Sequence, residues 1–407
     1  MTNAIHPAML TPRCYLTLLI SLTLVGCVEY APVADSGLAF AVDAGVTVFD
    51  SGGAVDDAGD AQHDAGATND AGIVTGIDGG RSYDGGAMAV FDGGADFATR
   101  CAQTGVVTCI GFDNPADFNI GSGGTNGAYG DNSGILPVGS DYSQSGQDTT
   151  IKASGTGSLK FTIPPNSSAN SSGSWFTNFS TDLSVQFGAG QEFYVQWRQR
   201  FSPEFIGTHY EGGGGFKQAI IGTGDEAGSV FSSCSTLELP VQNIGQRGFP
   251  MMYNSCTGSS SHSAYDSFEQ GFGAFDFKLQ NGRVAPYCLY SQDKGDMYFP
   301  PYGNCFGYVA NEWMTFQVHV QIGARVGDEF KNSFIALWGA REGQPSELLI
   351  QWGPYNLSAG PAGTNERYGK VWLLPYNTGK SSVQTNPIAY TWYDELIVST
   401  QKIQDSK

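Results

Sequence analysis

The stretch that decides the fold is Glu192-Phe193-Tyr194-Val195-Gln196-Trp197-Arg198-Gln199-Arg200-Phe201. Phe193, Val195, Trp197 and Phe201 fall on one side at a period of two, and Tyr194, Gln196, Arg198 and Arg200 on the other. That alternation is the signature of a strand with one face in a core and the other polar. A second run, Trp313 to Ile322, repeats it: Met314, Phe316, Val318, Val320 and Ile322 share a side, opposite Thr315, Gln317, His319 and Gln321.

Outward from these strands the punctuation stays β-like. Gly157-Ser158-Leu159-Lys160-Phe161-Thr162-Ile163 alternates and stops at Pro164, and Gly and Asn fill the gaps between runs. No comparable stretch has helical period. The pattern predicts an all-β fold, a two-sheet antiparallel β-sandwich over residues 101–407, with Trp392 to Thr400 returning as a last strand beside the first.

Residues 28–100 differ in kind. Thirteen acids face two bases, and a degenerate Asp-Ala-Gly and Asp-Gly-Gly repeat recurs from Asp43 to Asp92. Few large apolar side chains are present, so 27–100 is expected to be a disordered acidic tether. Before it, Arg13 precedes the apolar run Cys14 to Val25, too short to span a bilayer and shaped like a secretory signal. Its ending, Leu24-Val25-Gly26-Cys27, resembles the lipobox of bacterial lipoproteins. The resemblance implies cleavage after residue 26, lipid on Cys27 and a place in the cell envelope, at the outer membrane or cell surface.

The formal charge of −19 argues against nucleic acid as a partner. Six cysteines remain beyond the signal and lipid site: Cys101, Cys109, Cys234, Cys256, Cys288 and Cys305. An even set in an exported chain predicts three disulfides. Sequential pairing is the simplest of the fifteen connectivities, and no CxxC or paired Cys/His spacing favours a metal cluster.

The order of pieces, Gly157 to Phe161, then Tyr194-x-Gln196-x-Arg198-x-Arg200, then the Trp313 strand and Tyr393-Asp394-Glu395-Leu396, resembles the concanavalin A-like lectin/glucanase jelly roll. Within that group it is most similar to the jelly-roll polysaccharide lyases. The resemblance covers about residues 109–402. It is architectural, with loose analogues of the Arg-rich and Gln-x-His strands of alginate lyases. It implies a polysaccharide partner, a monomer and no required cofactor, with a structural calcium near Asp394 as one option.

A lyase must neutralise a uronate carboxylate, remove the neighbouring proton and protonate the leaving oxygen. Arg198, Arg200, Lys217, Gln242 and Asn243 suit the first task; Tyr253, His319 and Tyr290 suit the others. The densest constellation runs through Lys217, Gln218, Glu238, Gln242, Asn243, Arg247 and Tyr253. Candidates for holding the sugar are Tyr194, Gln196, Gln218, Arg247, Tyr290, Tyr298, Tyr376 and Asn377, the last three in the aromatic loops 298–302 and 372–377. Two other readings stand beside the lyase. One is a non-catalytic glycan-binding or adhesion protein. The other is a glycoside hydrolase pairing Glu238 with Asp394 or Glu395, although the Glu-x-Asp-x-x-Glu pattern is absent.

Overall fold

The alternation of residues 192–201 is realised as a central strand. In the computed structural model, Glu192–Phe201 lies between Met314–Gln321 and Ala389–Ser399. The structure describes residues 93–118, 133–136, 145–167, 174–226, 237–245, 247–272, 276–291 and 301–407. Around the central strand a nine-stranded sheet forms in the order Ala324–Val326, Glu329–Ala340, Met314–Gln321, Glu192–Phe201, Ala389–Ser399, Ser158–Ile163, Ser145–Asp148. Val106–Ile110 pairs on Ala389–Ser399 and Glu347–Ser358 on Glu329–Ala340. The last strand thus returns beside the first, as the sequence suggests.

The second sheet has eight strands. Its order is Asp266–Ser267, Met251–Asn254, Glu238–Ile244, Tyr210–Thr223, Tyr368–Leu373, Ser174–Asn178, Ser133–Leu136, with Asn377–Lys380 also on Tyr210–Thr223. Every ladder in both sheets is antiparallel. The fold is a two-sheet antiparallel sandwich.

Phe193, Val195, Trp197, Phe201, Phe316, Val318 and Val320 from the first sheet meet Phe216, Ala219, Ile221, Leu239, Val241, Val371 and Leu373 from the second in one core. Truncating one of its large aromatics to alanine costs about 3–5 kcal/mol, since the close-packed surroundings cannot refill the space. A small sheet of Gln270–Phe272, Asp276–Gln280 and Cys288–Ser291 builds a second cluster. There Leu279, Cys288 and Tyr290 pack on Phe249 and Met251 at one end of the eight-stranded sheet.

The ends of the domain cover the nine-stranded sheet on the side away from the core. The helix Phe97–Cys101, N-capped by Asp96, brings Arg100 onto Gln196 and Glu395. The C-terminal segment supplies Ile403 and Gln404 carbonyls to Gln317 and Gln196, and Ser406 bonds Thr315. Ala95 bridges Ser406. The tether boundary expected at residue 100 therefore moves toward the N-terminus, because Ala95 to Arg100 are part of the packed fold.

Disulfides join Cys101 to Cys109 and Cys288 to Cys305, matching the sequential scheme. Cys256 is also disulfide-bonded, while Cys234 lies outside the described residues. So do Cys27, Tyr298 and the repeat from Asp43 to Asp92.

Candidate functional site

The face of the eight-stranded sheet turned away from the core carries a row of polar and aromatic side chains. Core-facing Leu239 and Val241 leave Glu238, Pro240 and Gln242 on the other side of their strand. On the neighbouring strand, Phe216, Ala219 and Ile221 face the core, which puts Lys217 and Ile220 on the outer side. Lys217 sits directly opposite Gln242. The outermost full strand adds Tyr253, whose neighbour Met252 points inward.

Lys217 is the centre of this group. Its Nζ lies 5.9 Å from the Tyr253 ring centre and 5.4 Å from that of Tyr376, and its backbone N–H donates to the Tyr376 carbonyl at 3.0 Å. Among the described residues the Lys217 ammonium has no hydrogen bond and no ion pair. Burial pushes its pKa below the ordinary lysine value, and the charge of Glu238 opposes that shift. Tyr253 is moved the other way. Burial, then the charges of Glu238, Tyr265 and Tyr376, hold its phenol protonated well above the usual tyrosine range. Glu238 is itself buried, and its Oε1 accepts from the Cys256 N–H at 3.3 Å.

Further along the same face Lys370 pairs with Asp225 at 2.6 Å, and Asn178 clamps Asp225 through its backbone N–H and carbonyl. Trp372 stands next to Phe176 with ring centres 6.2 Å apart, and the Lys370 Nζ is 4.9 Å from the Trp372 ring. The Trp372 indole N–H has no acceptor among the described residues. Aromatic faces with nearby unpaired donors are what a sugar ring with one apolar face and a rim of hydroxyls requires. Of this half only Trp372 stood in a loop singled out from the sequence. Lys370 and Asp225 lie in unremarkable segments, and their only local signal is the i, i+2 spacing of Lys370 and Trp372.

The remaining candidates are dispersed. Gln218 and Asn243 face inward: Gln218 bonds Gln199 and Tyr308, and Asn243 bonds Gly245 and Gly248. The cause for Gln218 is a register shift between Lys217 and Ala219, which breaks the period of two. Asn377 is held by Tyr210 and by the Pro375 carbonyl. Arg247 is buried against Glu269 with its guanidinium 4.5 Å from the Tyr290 ring, so both are absorbed by the small sheet.

Tyr194, Gln196, Arg198, Arg200 and His319 lie on the outer face of the opposite sheet, so they do not join the Lys217 group. Arg198 sits 3.7 Å from Glu395 and 3.8 Å from Glu342, and Gln196 is capped by Arg100. His319 stacks on Tyr194 at 4.2 Å and meets Glu192 at 3.0 Å. Burial lowers its pKa, against the pull of Glu192.

The hydrolase pairing does not form, since Glu238 and the Asp394–Glu395 pair belong to different sheets. Glu395 is spent on Arg100. Asp394 accepts from the N–H groups of Ala153 and Ser154 and so anchors a loop to the last strand. Among the described residues no group of three or more His, Cys, Asp or Glu is gathered as metal ligands.

No family model matches the chain, and no curated protein matches it. Solved structures similar to it include a PL-14 alginate lyase from Aplysia kurodai (13% identity, 64% of this chain and 88% of that one, TM-score 0.39). Another is the alginate lyase vAL-1 from Chlorella virus (11%, 72% and 99%, TM-score 0.37). A third is an endo-beta-1,4-glucuronan lyase from the fungus Trichoderma reesei (14%, 63% and 87%, TM-score 0.33). At such identities and overlaps none of their residues is carried onto this chain.

Proposed function

We propose that the outer face of the eight-stranded sheet binds a uronate-containing polysaccharide and cleaves it by β-elimination. The observation that carries this reading is the pairing of Lys217 and Tyr253. A half-buried lysine with no ion pair among the described residues and a buried phenol share one face, with their proton affinities pushed toward each other and past. Environments that split two titratable groups in this way assign the base and the acid.

Neutral Lys217 takes the proton from the carbon beside the substrate carboxylate. That electron pair becomes the carbon–carbon double bond, the glycosidic carbon–oxygen bond breaks, and the leaving oxygen receives the Tyr253 proton. Gln242, opposite Lys217, donates its amide to the carboxylate, while the half-buried Tyr376 and Trp372 offer ring faces to the sugars. Lys217, assigned to charge neutralisation from sequence, thereby becomes the base. With the export signal and lipobox, the proposal extends to an envelope lipoprotein, tethered through Cys27 and acting on glycan outside the cytoplasm.

The test is turnover of a panel of uronate and neutral polysaccharides, followed by ultraviolet absorbance of the unsaturated product. A rise with a uronate polymer that disappears in Lys217→Ala is the expected result. Retained binding without absorbance or new reducing ends overturns the lyase and leaves a tethered lectin.

A further inference from the structure

Next to the Lys217 group, but beyond the residues used above, the edge strand Asn377–Lys380 borders a cleft of about 530 Å³. Asn166, Ser167, Thr378, Lys380, Ser382 and Asn386 are among its walls. The volume falls in the range of small-molecule sites.

Two of these side chains are built as ligand contacts rather than as surface. Asn386 is only 6% exposed, and its Oδ1 has no hydrogen-bond partner among the described residues. The rest of Asn386 is fixed: its Nδ2 donates to the Gln384 carbonyl at 3.1 Å and its backbone N–H to Asn166 Oδ1 at 2.9 Å. The unsatisfied oxygen is therefore held in place, and a buried acceptor left this way costs free energy until a donor arrives. Lys380 is the cation of the cleft. Its Nζ reaches Ser167 Oγ at 3.2 Å and has no carboxylate partner among the described residues. Burial alone lowers its pKa, with no acidic neighbour opposing the shift.

A fixed acceptor and an unneutralised ammonium in the lining of one cleft select a ligand that carries hydroxyl donors and a carboxylate together. The cleft is also joined to the site through one strand, Asn377–Lys380, which pairs on the strand that carries Lys217. Tyr376 contacts Lys217, and four residues further on, past a left-handed kink at Gly379, Lys380 lies at most roughly 13 Å along the chain at about 3.3 Å per residue. We infer that this cleft is a distal subsite that holds a uronate unit of the same polysaccharide, more than one sugar ring away from the bond that breaks. The inference rests on the polysaccharide reading of the Lys217 face.

The experiment is calorimetric titration of the full chain with oligomannuronates, oligoguluronates and oligoglucuronates of three and of twelve units. The parent is expected to bind one twelve-unit series, and Lys380→Met to weaken that binding about tenfold, the loss of one charge-assisted contact. The trimer of the same series, too short to reach, should change by less than about twofold. Ser382→Trp, which fills the cleft mouth without removing a hydrogen bond, should reproduce the effect and decides the matter if Lys380→Met does not fold. Unchanged twelve-unit binding in the folded variants, or no binding by the parent, overturns the subsite, even where turnover shows the lyase to stand. Weakened binding in a chain that turns over no polymer leaves the subsite and removes the lyase.

Discussion

In water a tyrosine and a lysine lose their protons at nearly the same pH, the tyrosine slightly first. On this face the order is reversed, because burial disfavours both charged forms and Glu238 adds its charge against the phenolate. The rate should therefore rise on an alkaline limb set below the ordinary lysine value of 10.5 and fall only above the tyrosine value of 10.0. Lys217→Arg places a permanent cation there and cannot act as a base, so it should bind substrate while losing about 10²–10⁴-fold in turnover, as should Tyr253→Phe. An arginine variant that still turns over would return Lys217 to charge neutralisation.

A second residue gives a stability prediction. Burial pushes Asp394 up to about 8 from 3.8, with the Ala153 N–H opposing and Glu395 adding to the rise. Between those values the folded chain keeps a proton that the unfolded chain has released. Its contribution is thus complete below about pH 3.8 and is lost as pH rises through 8. Glu329, held at about 2, acts in the opposite sense and at lower pH. The melting temperature should fall between pH 4 and 8, and Asp394→Asn should flatten that slope. A parent slope of zero would show Asp394 to be ionised. At this scale Lys217, Glu238, Gln242 and Tyr253 were legible because polar residues crowd into one short span. Gln218 was misread because one register shift turns it inward.

Strands are where sequence reading worked best, since a period of two survives any arrangement of the sheets. The inward set of Glu192–Phe201 and of Met314–Gln321 is the one observed. Which outer face the chain ends cover was not legible, because it depends on where segments hundreds of residues apart come to rest. Arg198 and Gln196 lie beneath those ends, and Lys370 joined Asp225 only through sheet order. The small sheet shows the same dependence on a distant link. Cys288 and Cys305, separated by 17 residues, close the segment that packs Tyr290 on Phe249 and Met251. Replacing both cysteines by alanine should cost about 3 kcal/mol through the freed unfolded chain. Chemical denaturation of the double variant measures this, and an unchanged midpoint would mean that the small sheet contributes nothing to global stability.

At the scale of the whole molecule, both ends of the domain close over one sheet, and a buried ion pair joins the N-terminal end to the sheet's centre. Arg100 is fully buried, and burial lowers its pKa, with Glu395 opposing. It contacts Glu395 on the last strand and Gln196 on the central one, while Ala95 bridges Ser406 beside it. A boundary drawn at Cys101 from composition leaves this arginine in the tether, since one charged residue after a polar repeat looks like more of the same. A chain that starts at Cys101 would keep both described disulfides yet leave Glu395 buried with only Arg198, 3.7 Å away, to offset its charge. Removing one partner of a buried pair costs about 3–5 kcal/mol, and the remaining arginine puts the expected loss near the lower figure. Chains beginning at Gly93 and at Cys101 should therefore differ by several degrees in melting temperature, the longer one being more stable. An Arg100→Met variant of the longer chain should account for most of that difference. If the two chains melt together, the helix Phe97–Cys101 is an appendage, and the domain is complete without it.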